Sequence, residues 1–427
     1  MTPIKYSEKY SETEALSKRS SGVRWHHMAF AVGPGVVVML ADTEAGSVIA
    51  AAQSGAQWGY RLLLLQFALI PALFMAQELA SRLGLAAHQG LAELALHRLG
   101  LLPTVLLLTT LTISCVGALV TELSGLAGVG QLYGVPVWQS SAVAATGLLA
   151  IVLTGSYRSV ERVAMALGLC ELAFIALAGQ ARPAGTEMAS QILQMPFADR
   201  GYLYLLAASL GTCVIPWAIF YQQSASIDKG LTRAHLSAAR VETLIGAVLC
   251  QTITAAVLVA AASASGHGKA SAHSFDRISE IASTFTAVIG PTGGRVVFAL
   301  GMTGGALVAA IVVCLTVAWA FGEVLGLRHS LSESPAQAPW FYGAFAAVLC
   351  SGAVLVGSGV NLVRLAIAVG VLNTLLLPIV LGFLYRLARQ ELPDELRLRG
   401  IYAAVAGIVF TVVAAFGLYA SIGSILL

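Results

Sequence analysis

One stretch near the start of the chain decides the fold: "GPGVVVMLADTEAGSVIAAAQSGAQWGYRLL" (Gly33–Leu63). It is an apolar run interrupted by two carboxylates, Asp42 and Glu44, and by Gly46. Glycine lowers helix propensity by about 1 kcal/mol relative to alanine, and a carboxylate at bilayer depth costs at least ~2.5 kcal/mol on insertion scales. We therefore predict a membrane helix that unwinds at its middle, where an ion, buried water or a polar substrate satisfies the freed backbone groups.

The composition of the whole chain indicates a polytopic all-α membrane protein. Of its 427 residues, 58% are hydrophobic and only 11% are charged, whereas a soluble domain has about 25% charged residues. The six cysteines show no CxxC spacing and are interpreted as small buried residues. The sequence has no Walker loop, nucleophile constellation or nucleic-acid patch. We therefore predict a protein that is not an enzyme, with no prosthetic group and no nucleic-acid partner.

Apolar runs and polar gaps predict eleven transmembrane helices. They cover residues 28–54, 58–83, 101–129, 138–156, 159–180, 201–224, 238–263, 290–325, 340–358, 361–387 and 400–425. The segment 274–289 is predicted as a short interfacial helix before the eighth span. The polar residues 1–27 are interpreted as a cytoplasmic tail rather than a signal peptide.

The basic residues predict the orientation of the chain. If the N-terminus is cytoplasmic, most of the 24 Lys and Arg lie in segments on that side, as the positive-inside rule requires. We therefore expect a multi-pass protein of the cell (plasma) membrane with a cytoplasmic N-terminus and an extracytoplasmic C-terminus. The lipid bilayer is its expected surrounding, and a monomer suffices for the predicted architecture.

The sixth span, "LYLLAASLGTCVIPWAIFYQQSAS", is interrupted between Gly211 and Pro216, since proline removes a backbone donor and clashes with the preceding turn. Spans one and six take corresponding places in two five-helix halves, 28–180 and 201–387, which precede an eleventh helix at 400–425. Such a pair of broken helices indicates a transporter with inverted repeats and a site at the membrane midplane. The alternative is that both breaks are ordinary kinks.

Several stretches resemble the Nramp family of divalent metal transporters. The Gly33–Leu63 stretch is similar to the family's first helix, with its GP start, DPGN break and QAGAQFGY end. "QELASRLG" (Gln77–Gly84), "TELSGLAGVGQLYGVPVW" (Thr121–Trp138) and "GSYRSVERV" (Gly155–Val163) resemble the end of helix two, helix three with its loop, and the turn between helices four and five. The resemblance implies a LeuT-type fold with broken helices one and six and a metal site between the breaks.

The resemblance carries the family's site residues onto this chain one at a time. The DPGN motif falls on Glu44-Ala45-Gly46-Ser47, so the acid is retained and the amide becomes a hydroxyl. The MPH motif of helix six falls on Ile215-Pro216-Trp217, so the metal-binding methionine and the following histidine are absent. A later histidine falls on Gln222. The acid pair of helix three falls on Leu119 and Glu122, and the glutamine of helix ten falls on Leu376.

These departures change the expected chemistry of the site. A thioether favours soft transition metals, and its replacement leaves oxygen donors only. The expected metal ligands are Glu44, Asp42, Ser47 and the carbonyls near Ala41 and Thr212. Oxygen-only sites suit Mg²⁺ and Mn²⁺, and the chain resembles the Nramp-related magnesium transporter branch, which lacks the methionine.

The remaining expectations concern the cavity and the coupling. Its predicted lining residues are Gly46, Ile215, Trp217, Gln222, Gln223, Asn373 and Glu122. Asn373 either supplies an amide oxygen or forms an interhelical hydrogen bond, and Glu122 either senses protons or braces a helix. Because none of the eight histidines lies in the middle of a predicted span, we expect weak or no proton coupling. The alternatives are a proton-coupled Mn²⁺/Fe²⁺ symporter, a LeuT-type symporter of a small organic solute, and a non-transporting receptor.

Overall fold

The computed structural model describes residues 33–183, 185–265, 275–357 and 361–426, and every regular element in these ranges is a helix. The predicted cytoplasmic tail, residues 1–27, lies outside them. The first span consists of α1 (Pro34–Ala41) and α2 (Ala45–Trp58), whose axes bend by 45° at the break. The second consists of α3 (Leu63–Ala68) and α4 (Ile70–Ala87). It begins later than predicted because Gly59, at a φ of 59°, ends α2 and a turn follows.

The third to fifth spans are formed by α6, α7 and a helix in two parts. A short helix, α5 (Leu91–Leu99), precedes α6 (Leu101–Leu132) and α7 (Val137–Val152). The fifth span changes from α8 (Tyr157–Gly168) to a 3₁₀ turn, Leu169–Leu172, and then to α9 (Ala173–Gln180). A 3₁₀ stretch inside a helix often marks a functional hinge or strain, and the apolar run 159–180 does not by itself indicate such an interruption.

The second half begins with the short α10 (Gly185–Gln191) and the broken sixth span, α11 (Arg200–Gly211) and α12 (Pro216–Asp228). A 3₁₀ turn, Arg233–His235, leads into α13 (Leu236–Ala264). The predicted helix before the eighth span is present as α14 (Ile278–Ile289). The last four helices are α15 (Pro291–Leu325), α16 (Pro339–Val356), α17 (Leu362–Gln390) and α18 (Gly400–Leu426).

Helix length and composition support a membrane protein. Within the described ranges nine helices are long and apolar enough to cross a membrane, and the bent pair α1–α2 makes up to ten. The fourth predicted span, α7, has 16 residues, which is about 24 Å at 1.5 Å per residue and shorter than a bilayer core. The total of eleven and the division into inverted repeats therefore stay predictions.

The broken sixth span lies at the centre of the bundle. In the most apolar stretch of this span 94% of the residues are buried, whereas in that of α18 only 28% are buried. A Cβ on Gly211 would lie 1.9 Å from the carbonyl oxygen of Gly370 on α17, and the Thr374 hydroxyl donates to the Ala207 carbonyl at 2.6 Å. Glycine is therefore needed where α11 and α17 meet. Cys350, in contrast to the interpretation of all cysteines as buried, is exposed on α16.

Polar contacts close the end of the bundle at which α1 begins, here called the Gly33 end. Glu242 of α13 accepts hydrogen bonds from the backbone amides of Gly33 and Val36 at 2.6 and 2.8 Å. Lys229 and Glu161 form an ion pair at 2.7 Å, and both side chains are nearly buried. The start of α1 is therefore held against the fifth, sixth and seventh spans.

A second buried network at the Gly33 end is centred on Glu78 of α4. Its carboxylate accepts from Arg82 at 2.6 and 2.7 Å, from Arg240 at 2.7 Å and from the Tyr402 hydroxyl at 3.1 Å. The Arg82 guanidinium also lies over the Tyr402 ring, 5.3 Å from its centroid. These contacts join the second, seventh and eleventh spans.

Candidate functional site

The break in the first span spans Asp42, Thr43 and Glu44, and each is at most 1% exposed. The helical pattern continues up to Asp42, whose amide donates to the Val38 carbonyl at 2.9 Å, and it resumes where Val48 donates to the Glu44 carbonyl at 3.1 Å. Because the chain unwinds between these points, Asp42 and Glu44 are not held on opposite faces of a helix. The two carboxylates lie within electrostatic range of each other.

At this break the side chain of Glu122, on α6, takes the place of a backbone carbonyl as the acceptor of a hydrogen bond. In a continuous helix the amide of Ala45 would donate to the carbonyl of Ala41. Here it donates to Oε2 of Glu122 at 3.1 Å. The Ala41 carbonyl is thus released from its helical partner, as the sequence predicts, and the Glu122 carboxylate both braces α2 and contacts the Glu44 carboxyl group.

Ser47 and Gly46 lie on the first turn of α2. The Ser47 hydroxyl donates to the Glu44 carbonyl at 2.8 Å, which leaves the hydroxyl oxygen free to accept or to bind a cation. A Cβ on Gly46 would lie 3.0 Å from Oε1 of Glu44. The glycine therefore keeps the space beside that carboxylate open.

The break in the sixth span frees a second carbonyl. The carbonyl of Thr212 has no helical donor because residue 216 is a proline, and the Thr212 hydroxyl donates to the Ala208 carbonyl at 3.0 Å. The next residue, Cys213, lies within electrostatic range of Asp42. A residue of the second break therefore lies near an acid of the first break.

Cys213 places a sulfur atom near a site whose expected donors are all oxygens. Its sulfur accepts a hydrogen bond from Nε2 of Gln251 at 2.9 Å, and a second thiol, Cys250, is also within electrostatic range of Asp42. Ile215 and Trp217, at the methionine and histidine positions of the resemblance, are fully buried. Cysteine sulfurs therefore lie within electrostatic range of Asp42.

Other predicted cavity residues are engaged elsewhere. The Asn373 amide oxygen accepts a hydrogen bond from the Ser114 hydroxyl at 2.8 Å. Asn373 thus forms an interhelical hydrogen bond, the second of the two roles expected for it. Gln223 donates to the Gln89 carbonyl at 2.7 Å at the Gly33 end. Gln222 is 1% exposed, and its amide oxygen has no donor among the described residues. Leu119 packs against Gly352 of the ninth span, where an added Cβ would lie 2.8 Å away.

Two functional candidates were missed by the sequence interpretation: Glu171, in the 3₁₀ turn of the fifth span, and Thr43. Glu171 is fully buried, and its side chain lies next to the Thr43 hydroxyl and within electrostatic range of Asp42. Within the described ranges, neither Glu171 carboxylate oxygen has a hydrogen-bond partner of ordinary geometry. A carboxylate in the middle of an apolar span is itself a signal of function and would have identified Glu171.

The site is strongly acidic. Asp42, Glu44, Glu122 and Glu171 are all buried, and none forms an ion pair with a basic residue of the described part of the chain. In those ranges no three His, Cys, Asp or Glu side chains converge with the geometry of a metal site. A cation held here would therefore use one or two carboxylates with carbonyls, hydroxyls and water, which is the usual donor set for Mg²⁺.

One open cavity of about 900 Å³ does not belong to this site. It is lined by residues such as Gln131, Asp276 and Asn361 at the end of the bundle opposite Gly33. The acids at the breaks are at most 1% exposed. The structure is thus closed around the candidate site.

Solved structures with similar folds are transporters. A manganese transporter of Eremococcus coleocola, solved with an aromatic bis-isothiourea compound, has a TM-score of 0.70 at 15% identity, covering 94% of this chain and 87% of its own. MhsT in complex with L-phenylalanine has a TM-score of 0.64 at 14% identity, covering 91% and 98%. At these identities the likeness shows the fold, and it confirms the predicted LeuT-type architecture.

Sequence relatives agree with the structural neighbours. The divalent metal cation transporter MntH of Acidiphilium cryptum is 26% identical over 419 residues, covering 92% of this chain and 90% of the relative. The metal transporter Nramp1 of Populus trichocarpa is 28% identical over 217 residues, covering 49% and 40%. The sequence profile of the family described as natural resistance-associated macrophage protein-like (Nramp) matches residues 35–422. The match spans nearly the whole chain, so the chain belongs to the Nramp family.

Proposed function

We propose that this protein transports divalent metal cations across a membrane by alternating access, with Mg²⁺ as the preferred ion and Mn²⁺ as a second substrate. The observation that carries the proposal is the meeting of buried, unpaired carboxylates with freed backbone carbonyls where the two breaks face each other. The bacterial relatives named as divalent metal cation transporters support the same class of substrate. The N-terminus is proposed to be cytoplasmic and the C-terminus extracytoplasmic.

The proposed ligands are Glu44, Asp42, the Ser47 hydroxyl and the carbonyls of Ala41 and Thr212. Glu44 directly precedes α2, with Ser47 and the open side of Gly46 next to it. Mg²⁺ dehydrates reluctantly and is typically held by one or two carboxylates with several waters retained. The absence of a three-residue metal cluster within the described ranges fits such a partly hydrated ion.

Transport is proposed to be driven by the metal gradient and the membrane potential, with weak or no proton coupling. A divalent cation gains about 4.6 kcal/mol per 100 mV on moving inward, twice the value for a single charge. No histidine of the described residues lies at the breaks. The buried carboxylates are titratable, so internal pH must be measured together with the metal flux.

A second candidate function is transport of a softer dication such as Mn²⁺ or Fe²⁺ with proton symport. The specific observation in its favour is the thiol of Cys213 within electrostatic range of Asp42. Thiol ligands favour transition metals over Mg²⁺. The Gln251 amide donates a hydrogen bond to this sulfur and so engages lone-pair density that a metal would otherwise use. This contact favours the oxygen ligands proposed above.

Flux measurements on the full chain in liposomes test the proposal. Under an inside-negative potential, wild type should take up Mg²⁺ and, more slowly, Mn²⁺ with little change of internal pH. Glu44→Ala should abolish uptake, while Glu395→Ala, which removes an exposed acid, should leave it unchanged. Metal-driven acidification at a comparable rate would favour the second candidate, and the absence of any divalent flux through folded protein would refute both.

A further inference from the structure

The seventh span, α13, runs alongside the break of the first span. A Cβ on Gly246 of α13 would lie 2.5 Å from Cγ of Met39, on α1. A Cβ on Gly55 of α2 would lie 2.2 Å from the carbonyl oxygen of Leu258, further along α13. The helix therefore touches the first span both before and after the break. Cys250 lies between these two contacts, four residues after Gly246 and so on the same face of α13.

A second cysteine, Cys213 in the break of the sixth span, lies beside this part of α13. Nε2 of Gln251, the residue that follows Cys250, donates to Sγ of Cys213 at 2.9 Å. The two thiols lie within electrostatic range of each other and of Asp42. The Cys250 side chain also lies next to the Thr43 hydroxyl. One thiol from each of two spans thus meets the unwound part of the first span.

These thiols are buried beside an acid that lacks a partner. Cys213 and Cys250 are 3% and 2% exposed, and Asp42 is fully buried. Within the described ranges neither carboxylate oxygen of Asp42 has a hydrogen-bond partner. A buried charge without a partner is costly, and a bound cation would remove that cost. Two sulfur atoms beside such an acid are donors that suit a soft cation better than Mg²⁺.

We infer that Cys213 and Cys250 together bind a thiophilic dication such as Cd²⁺, and that this ion blocks transport through the neighbouring site at Glu44. Each thiol that binds the ion releases its proton, which frees lone pairs besides the one that the Gln251 amide engages. That amide then supports the metal-bound sulfur. The filled site ties the break of the sixth span to α13 and places positive charge beside Asp42, which repels the transported ion. The block rests on the proposed function, whereas binding of the ion does not.

Cadmium binding to the purified full chain in nanodiscs tests the site directly. All variants carry Cys350→Ala, which removes an exposed thiol. This background should bind Cd²⁺ with an ultraviolet thiolate-to-metal charge-transfer band, a signal that oxygen ligands do not give. Cys213→Ala and Cys250→Ala should each lose the band and bind Cd²⁺ at least about tenfold more weakly, since losing even a residue that supports a metal ligand typically costs that much. The double variant should be no worse than either single one, because both sulfurs hold the same ion.

Cys115→Ala is the matched control. Cys115 is also fully buried, and its thiol neighbour is Cys314 rather than either cysteine of the proposed site. This variant should keep both the band and the affinity. The inference is overturned if the folded background protein shows no band, if Cys115→Ala alone removes it, or if either site variant keeps it. Half of the band in each site variant also counts against it, since the two thiols would then bind independently.

Mg²⁺ uptake into liposomes tests the block. Cd²⁺ at a concentration that saturates the band should stop uptake by the background protein, and Cys250→Ala should retain its uptake in the presence of Cd²⁺. Uptake that continues while the band is saturated would refute the block. If Mg²⁺ flux is absent already without Cd²⁺, the transport proposal fails and the block with it, whereas cadmium binding by the two thiols stands on the spectroscopic result.

Discussion

Glu242 should control how firmly α1 is docked at the Gly33 end. Its Oε1 accepts from the amides of Gly33 at 2.6 Å and Val36 at 2.8 Å, and the residue is 6% exposed. Hydrogen bonds to a charged partner contribute roughly 1.5–3 kcal/mol each. Because both bonds share one oxygen, we expect Glu242→Ala to cost about 3 kcal/mol in all. The eight residues of α1 are joined to α2 by the break, so this loss favours undocking of α1 as a unit.

Hydrogen–deuterium exchange of the peptide covering residues 33–41 measures the effect. A loss of about 3 kcal/mol corresponds to roughly 100-fold faster exchange, since each 1.4 kcal/mol is a factor of ten. Glu242→Gln retains a neutral acceptor and should give an intermediate increase, while Glu395→Ala should give none. Unchanged exchange of this peptide in Glu242→Ala would refute the role of Glu242 as the anchor of α1.

Three further predictions concern other contacts. Glu78→Ala should lower stability by about 3–5 kcal/mol, because it leaves the buried Arg82 guanidinium without its carboxylate partner and with only the Leu396 carbonyl as acceptor; an unchanged Tm would contradict this. Gly211→Ala should reduce the yield of folded protein, since its Cβ meets a carbonyl oxygen of α17 at 1.9 Å, whereas Gly382→Ala, whose methyl meets open space, should purify normally. Cys213→Ser should weaken inhibition by Cd²⁺ about tenfold and change Mg²⁺ uptake little; loss of Mg²⁺ uptake would make the thiol an essential ligand.

The sequence by itself determined the helical class and the positions of the two breaks. Both follow from local physical chemistry: apolar runs long enough for a bilayer, the proline at 216, and carboxylates that a regular lipid-facing helix would not carry. The prediction that Glu44, Ser47 and the freed carbonyls hold a metal rests on these features together with the family resemblance. The start of the second span was misplaced because a single glycine with positive φ ends α2.

Only the tertiary structure decided which distant groups meet at the breaks. The amide of Ala45 finds its acceptor 77 positions away on Glu122, and the Ser114 hydroxyl takes the Asn373 oxygen 259 positions away. Cys213 and Glu171 reach Asp42 and Thr43 through the packing of separate spans. Hydrophobic runs and helix propensities depend on neighbours along the chain, whereas these contacts depend on the rotation and close approach of whole helices, which glycines such as Gly305 permit.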